Sequence, residues 1–307
     1  MGAEPVPLHG GEAPTPPIWI NQFLNWYYLK RYLGSVEKNI PNQPGAKAAD
    51  FLADTRQILR SRISVTSYED ACDRIQAWVG EQLSCYVIAA NVHVVMTGYW
   101  HPEYQQAVNG AALVTPDGMP LVWALRLLGI KGQPRVYGPD LMLAWCERAA
   151  LLRIPLYLYG GTEAMLEKLQ HNLEQRFPKL AIVGRHAPSF QPLTPEEEAA
   201  DIECIQASGA DVVLVALGCP KQELWMARQQ GKIPKTLIGV GAAFSFHSGE
   251  ISQAPRWMMS LGLEWLYRLL MEPRRLWQRY LLNNPMFVIL FAGQLLRQWI
   301  LPSSKTN

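Results

Sequence analysis

Short apolar runs alternate with amphipathic runs along most of this chain, and this alternation limits the fold more than any other feature. Residues 84–95 and 210–218 are short and apolar, as buried strands are. Residues 138–152 carry apolar side chains at helical spacing. This alternation indicates an α/β layered domain around a largely parallel sheet. Side chains suited to cap the starts of three helices stand at Thr66 or Ser67, Thr162 and Thr194.

Composition excludes several classes of protein. The chain has 307 residues, 49% of them hydrophobic, which is enough for a sizeable core in one or two domains. A net charge of +2 is too small to indicate nucleic acid as the main partner. The five cysteines form no C-x-x-C pair, which favours reduced thiols in a cytosolic protein. No basic segment precedes an apolar core at the N-terminus, so we expect no signal peptide.

The chain divides into three predicted parts. Residues 1–57 form an N-terminal extension, which we expect to be partly disordered because its start is rich in Pro and Gly. Aromatic residues cluster at 18–34 of this extension, as in a short helix that touches a membrane surface or, the simpler interpretation, packs on the main body. Residues 58–250 form the α/β domain, and residues 251–307 form a helical appendage rich in Trp and Arg.

The appendage concentrates the positive charge of the chain. From Pro255 onwards there are seven Lys or Arg residues and two Asp or Glu residues. Pro273 and Pro285 are predicted to break its helices. Its most apolar piece, residues 286–293, is shorter than the ~18–20 residues that span a membrane. A helix lying in the membrane interface and a helical hairpin packed on the core fit this composition equally.

One carboxylate stands where a strand-like run changes to a helix-like run. Asp117 lies between Pro116 and Gly118 in "VTPDGMPLVWALRLLG". An acid at this position either caps the following helix or is a placed chemical group.

Other polar residues follow predicted strands, where ligands bind in parallel sheets. Asn91 lies near the end of one strand, and Gln222 and Glu223 open a helix after another. Arg135 and Asp140 flank a Gly-Pro turn. Gln222 suits a sugar or a uracil edge, and Arg135 suits a phosphate or carboxylate. Each also has a structural interpretation, because such residues satisfy turns and favour helix starts.

Two common chemistries find weak support. "GVGAAF" and "YGGTEAM" lack the spacing of a dinucleotide-binding loop, which disfavours a nicotinamide-dependent oxidoreductase. No histidine pair has metal-ligand spacing and no D-x-D occurs, so we expect neither a metal nor another cofactor. A bound diphosphate would then be met by Arg, Lys or backbone N–H groups.

Seven segments together resemble one family of glycosyltransferases. From about residue 62 to 287 the chain is similar, in order and with short gaps, to the WecG/TagA/CpsF family. The segments are "RISVTSYEDA", "TPDGMPLVWALRLLG", "RVYGPDLM", "LYLYGG", "LGCPKQELWMA", "IGVGAAFSFHSGEISQAPRWM" and "GLEWLYRLLMEPRRLWQRYL".

The resemblance implies a Rossmann-like α/β domain with a helical C-terminal appendage that closes the site and contacts the membrane surface. It implies inverting, metal-independent transfer of a hexosamine-type sugar, N-acetylmannosamine or its uronic acid, from a UDP-sugar donor. The acceptor would be a polyprenyl-diphosphate-linked N-acetylglucosamine, at the cytoplasmic face of a bacterial membrane, in surface polysaccharide biosynthesis. A homo-oligomer is compatible with the sequence. The rival classes are a nicotinamide oxidoreductase and a non-catalytic membrane-associated scaffold.

The resemblance also implies roles for particular residues. The catalytic base falls on Asp117, and substrate-pocket positions fall on Asn91, Arg135 and Gln222. The substrate-binding arginines of the appendage fall among Arg268, Arg274, Arg275 and Arg279. The chain departs from the family pattern at Ala89, Ser245 and Gln253, where members often carry Thr, Asp and Arg.

Overall fold

The structure is a computed structural model that describes residues 53–300. The predictions for the N-terminal extension, including the aromatic cluster at residues 18–34, therefore lie almost wholly outside the described residues. Within the described range, a small antiparallel hairpin precedes the main sheet. The hairpin consists of β1 (Thr55–Ile58) and β2 (Ser61–Ser64).

The main sheet has six strands, and every neighbouring pair is parallel. The strands are β3 (Cys85–Ala90), β4 (Leu113–Pro116), β5 (Leu156–Gly160), β6 (Ile182–His186), β7 (Val212–Ala216) and β8 (Thr236–Gly239). Their spatial order is β4-β3-β8-β7-β5-β6. The predicted Rossmann-like α/β class with a parallel sheet is confirmed.

Nine helices of the described chain connect and flank these strands. They are α1 (Tyr68–Gly80), α2 (Val92–Trp100), α3 (Pro102–Asn109), α4 (Met119–Leu127), α5 (Gly138–Leu152), α6 (Glu163–Arg176), α7 (Pro195–Ala207), α8 (Lys221–Gln229) and α9 (Ala243–His247). Three predicted caps are confirmed, because Ser67, Thr162 and Thr194 each accept a backbone N–H in the first turn. Thr194 also forms a capping box with Glu197.

The core lies between the sheet and its helices. The strands β4, β5 and β8 are buried at every position, as parallel strands covered on both faces are. Trp78 of α1 and Trp145 of α5 are fully buried in the same cluster. Burying an aromatic side chain of this size stabilises a fold by about 1.5–3 kcal/mol. Because the strands are parallel, their carboxyl ends lie along one edge of this sheet.

The C-terminal segment is helical, as predicted. It consists of α10 (Arg256–Ser260), α11 (Glu264–Met271) and α12 (Pro273–Ile300). Pro273 opens α12, a position that proline tolerates. The prediction that Pro285 breaks the segment is wrong, because α12 continues through it. On either side of Pro285 the helix packs on the domain, since Asn283 contacts His93 at 3.2 Å and Phe287 is buried.

One face of α12 packs on the α/β domain, mainly on α2. Near its end, Gln294 accepts the backbone N–H of Leu59 and donates to the carbonyl of Gln57, each at 2.7 Å. The opposite face leaves apolar side chains exposed at Leu281, Leu282, Met286, Val288, Ile289, Leu296, Trp299 and Ile300. Among residues 53–300, no helix is both long and apolar enough to cross a bilayer. One face of α12 thus packs on the α/β domain, and the other presents exposed apolar side chains.

Candidate active site

Two cavities meet at the carboxyl edge of the sheet. The larger measures about 520 Å³ and the smaller about 80 Å³. Four residues line both cavities: Asn91, Asp117, Arg268 and Arg279. Two of these residues follow strands β3 and β4, and the other two come from α11 and α12. The appendage and the α/β domain thus build one site.

Asp117 does not cap the helix that follows it. The N-cap of α4 is Gly118, and no side chain caps that helix. Instead, the Gly138 N–H at the start of α5 donates to Oδ1 of Asp117 at 2.7 Å. The Asp117 N–H donates to the Ala90 carbonyl at 2.8 Å, which ties it to the end of β3. The carboxylate therefore has a fixed orientation between two strand ends and a helix start.

The pKa of Asp117 is suited to proton transfer near neutral pH. Its side chain is 9% exposed. Burial raises the pKa of Asp117 to about 6, against the opposing charge of Arg135, and the negative charge of Glu264 adds to the rise. A carboxylate with this pKa is ionised at neutral pH, yet binds a proton more readily than an exposed one. This combination is typical of a general base.

Arg135 is held by the protein itself. Its Nη2 lies 2.6 Å from Oε2 of Glu264 on α11, and its Nε donates to the Asp117 carbonyl. The Tyr137 hydroxyl donates to Oε1 of Glu264 at 2.9 Å, and the Arg135 guanidinium lies 4.1 Å from the centre of the Tyr137 ring. Arg135 lines the smaller cavity, but its charge already has a carboxylate partner.

Glu264 is a site residue that the sequence analysis did not select. It lines the smaller cavity and joins α11 to the loop that carries Arg135 and Tyr137. In the sequence it is one of only two acids in a strongly basic segment, within "GLEWLYRLL". The sequence does not indicate that Arg135 is its partner, because the two residues lie 129 positions apart.

Asn91 caps a helix and also lines both cavities. Its Oδ1 caps α2 by accepting the N–H groups of His93 and Val94, at 3.0 and 3.3 Å. Nη2 of Arg279 lies 3.4 Å from the same oxygen. The helix cap thus uses the oxygen of the Asn91 amide.

The four predicted arginines of the appendage occupy different places. Arg268 and Arg279 line both cavities. Arg275 lines the larger cavity and pairs with Glu272. Arg274 is exposed and lines neither cavity. Three of the four arginines are thus positioned to meet a charged ligand.

Gln222 lines the larger cavity, but its polar atoms serve the fold. Its Oε1 accepts the Gly241 N–H at 3.0 Å, and its Nε2 donates to Oε1 of Glu223 at 3.3 Å. A Cβ at Gly239 would lie 2.6 Å from Nε2 of Gln222, so a larger residue there would displace this amide. Gln222 therefore shapes the turn after β8.

The three departures from the family pattern lie in different surroundings. Ala89 and Ser245 line the larger cavity. A Cβ at Gly138 would lie 3.0 Å from the Cβ of Ala89, so this wall is closely packed. Gln253 has a buried amide nitrogen that no described residue partners.

No group of three metal-ligating side chains occurs within residues 53–300. All five cysteines are described, and all are free thiols.

The fold and the site define an α/β ligand-binding enzyme with a buried carboxylate between two cavities. The chain belongs to the glycosyl transferase WecG/TagA/CpsF family, which it matches over residues 56–300. It is similar to an N-acetylglucosaminyldiphosphoundecaprenol N-acetyl-beta-D-mannosaminyltransferase of Bacillus spizizenii. The two are 28% identical over 212 residues, which cover 69% of this chain and 80% of that protein. These comparisons confirm the family resemblance and support glycosyltransferase activity in the making of polysaccharide precursors.

Proposed function

We propose that this glycosyltransferase moves an N-acetylmannosamine-type sugar from a UDP-sugar onto a polyprenyl-diphosphate-linked N-acetylglucosamine, with inversion and without a metal. The name of the Bacillus relative supports the acceptor and the transferred sugar. One observation carries the proposal. Asp117 lines both cavities, so a base at this position can reach an acceptor in one cavity and a donor in the other.

The larger cavity is assigned to the donor. Its volume of about 520 Å³ falls in the range of small-molecule sites, roughly 300–1,000 Å³. Arg268, Arg275 and Arg279 line it and can neutralise the diphosphate. The smaller cavity is assigned to the acceptor sugar, because Trp265 and Tyr280 of the appendage line it beside Asp117. Aromatic side chains offer an apolar surface for a sugar face or a lipid chain.

The proposed reaction is a single displacement. A hydroxyl oxygen of the acceptor sugar forms a bond to the anomeric carbon, and the bond from that carbon to the phosphate oxygen breaks. Asp117 takes the hydroxyl proton with Oδ2, while the Gly138 N–H holds Oδ1. UDP departs with the electron pair, and the arginines stabilise its added charge. One displacement inverts the anomeric configuration.

We further propose a peripheral position at the cytoplasmic face of the membrane. The exposed apolar face of α12 supports it, because such a face can enter the interfacial region of a bilayer. Arg297 on the same helix is exposed and can meet anionic headgroups.

UDP release tests the proposed reaction. The purified chain is incubated with UDP-N-acetylmannosamine, its uronic acid or UDP-glucose, and a short-chain lipid diphosphate N-acetylglucosamine. We expect acceptor-dependent UDP release with one N-acetylmannosamine-type donor, unchanged by EDTA, and a product of inverted configuration by NMR. Release that EDTA abolishes, or a product with retained configuration, would contradict the mechanism.

A further inference from the structure

The wall that α4 contributes to the smaller cavity is apolar. Met119 and Pro120 line the cavity from the first turn of α4, and Gly262 lines it from the turn between α10 and α11. The walls that α2 and α12 contribute carry polar side chains, among them His93 and Arg279. The proposed acceptor has parts of both kinds, because a sugar diphosphate is polar and a polyprenyl chain is not. The α4 side is therefore the side that suits the lipid chain.

An apolar strip continues from this wall along the surface of α4. Met119, Trp123 and Leu127 follow one another at four-residue spacing, so they share one face of the helix. Trp123 is 45% exposed and Leu127 is 60% exposed. With a rise of 1.5 Å per residue, the strip runs for about 12 Å from the cavity wall. It thus extends the wall of the cavity with an apolar surface that solvent reaches.

The turn between α10 and α11 packs against this strip. A Cβ at Gly262 would lie 2.9 Å from Cη2 of Trp123 and 3.2 Å from Cβ of Met119. The φ of Gly262 is 73°, so a glycine suits both this backbone and this close approach. Leu261, directly before it, is 61% exposed. The strip and the turn therefore meet at the wall of the smaller cavity.

We infer that the strip of Met119, Trp123 and Leu127 binds the first isoprene units of the polyprenyl chain of the acceptor. This inference rests on the proposed function, which assigns the acceptor sugar to the smaller cavity. That sugar must reach Asp117, which lines the same cavity, and the diphosphate joins the sugar to the chain. The chain thus begins close to the cavity, where covering the strip removes apolar surface of both partners from water. The strip thereby favours lipid acceptors over short analogues.

Transfer to two soluble acceptors tests the inference. Both carry a diphosphate-linked N-acetylglucosamine, one on a single isoprene unit and the other on three, and neither vesicles nor detergent are present. In the unaltered chain we expect the KM of the three-unit acceptor to be about tenfold lower than that of the one-unit acceptor. The double change Trp123→Gln and Leu127→Gln should raise the KM of the three-unit acceptor by about tenfold. The KM of the one-unit acceptor and both kcat values should stay within about twofold.

A matched control lies at the end of α5. Leu151 and Leu152 are exposed and directly precede β5, so they lie at the edge of the sheet opposite the cavities. Their double change to Gln should alter neither KM. Thermal unfolding reports the fold of each variant, and the single change Leu127→Gln replaces the double one if that protein unfolds.

Several results would overturn the inference. One is an equal KM for the two acceptors in the unaltered chain, and another is a double variant that raises both KM values equally. If the double variant keeps the chain-length preference but floats less with anionic vesicles, the strip contacts the bilayer and not the acceptor. If the unaltered chain transfers sugar to neither acceptor, the proposed function fails, and this inference fails with it.

Cross-linking gives a second measurement that needs no variant. The three-unit acceptor, with a photoreactive diazirine on its last isoprene unit, is bound to the unaltered chain and irradiated, and mass spectrometry locates the label. We expect the label within residues 119–127 or at Leu261 and Gly262. A label confined to α12 would overturn the inference.

Discussion

Oδ1 of Asp117 accepts the backbone N–H of Gly138 at 2.7 Å, so this acid meets the start of α5 and not the start of the helix that follows it. The partial positive charge of a helix N-terminus stabilises a nearby carboxylate. One oxygen is thereby held by the fold, and the other is available for chemistry. Asp117 can therefore have both a structural role and a chemical role. Its structural contact is with the start of α5, whereas the sequence suggested a cap on α4.

The pH dependence of transfer should report Asp117. Burial raises its pKa from 3.8 to about 6, so the carboxylate is protonated and inactive as a base below that pH. We expect kcat/KM to fall about tenfold for each pH unit below about 6. Above that pH, ionisation of Asp117 should no longer change kcat/KM. Initial rates between pH 4.5 and 8 measure this. An acid limb centred near pH 4 would contradict the shifted pKa.

The ion pair between Arg135 and Glu264 should couple the appendage to the base. Both side chains are mostly buried, so removing one charge leaves the other without its partner. We expect Glu264→Gln to destabilise the protein by about 1–3 kcal/mol in denaturant unfolding. It should also move the acid limb of the rate profile to lower pH, because Glu264 contributes to the raised pKa of Asp117.

A matched control for Glu264 exists on the same appendage. Glu272 pairs with Arg275, which is largely exposed, and such pairs contribute about 0–1 kcal/mol. Glu272→Gln should therefore change stability little and leave the acid limb in place. Equal effects of the two substitutions would show that Glu264 has no special connection to the site.

Two arginines of the appendage should differ sharply in their effect on the donor. Arg268 lines both cavities, whereas Arg274 is exposed and lines neither. We expect Arg268→Ala to lower kcat/KM by about tenfold to a hundredfold, since a charge-assisted contact is lost. Arg274→Ala should stay within about twofold. If Arg274→Ala lowered kcat/KM more than Arg268→Ala does, the diphosphate would not bind in the larger cavity as proposed.

The exposed face of α12 should govern membrane binding. Val288 and Ile289 are each more than 60% exposed in this helix, so they add nothing to the core. We expect the double change Val288→Asp and Ile289→Asp to reduce flotation with anionic vesicles by about tenfold, with unchanged thermal unfolding. The matched control changes the exposed Ala199 and Ala200 of α7 to Asp, which adds the same two charges away from α12. Unchanged flotation of the Val288→Asp and Ile289→Asp variant would contradict the proposed membrane contact of α12.

The fold was accessible from the sequence because its signals are local. Apolar strands alternate with capped helices, and Ser67, Thr162 and Thr194 each satisfy a backbone N–H within their own first turn. The polar residues after β3 and β4 were accessible for the same reason, since parallel strands place their carboxyl ends at one edge. Asn91 and Asp117 do lie there, in both cavities.

The remaining features depend on contacts between distant segments. Gly138 is 21 residues from Asp117, and Glu264 is 129 residues from Arg135. Gln222 looked like a ligand contact, but its amide is engaged by Gly241 and Glu223. No local pattern encodes these partners. The continuity of α12 through Pro285 also rests on packing that propensity does not report.

The central claim is that Asp117 is the base for sugar transfer, and the Asp117→Asn variant tests it most directly. Asparagine keeps an oxygen that can accept the Gly138 N–H, so thermal unfolding and the Kd for UDP should match the unaltered protein. Transfer from UDP-N-acetylmannosamine to the lipid diphosphate acceptor should fall by about a hundredfold to ten-thousandfold. An Asp117→Asn protein that transfers sugar at the rate of the unaltered chain would contradict the account.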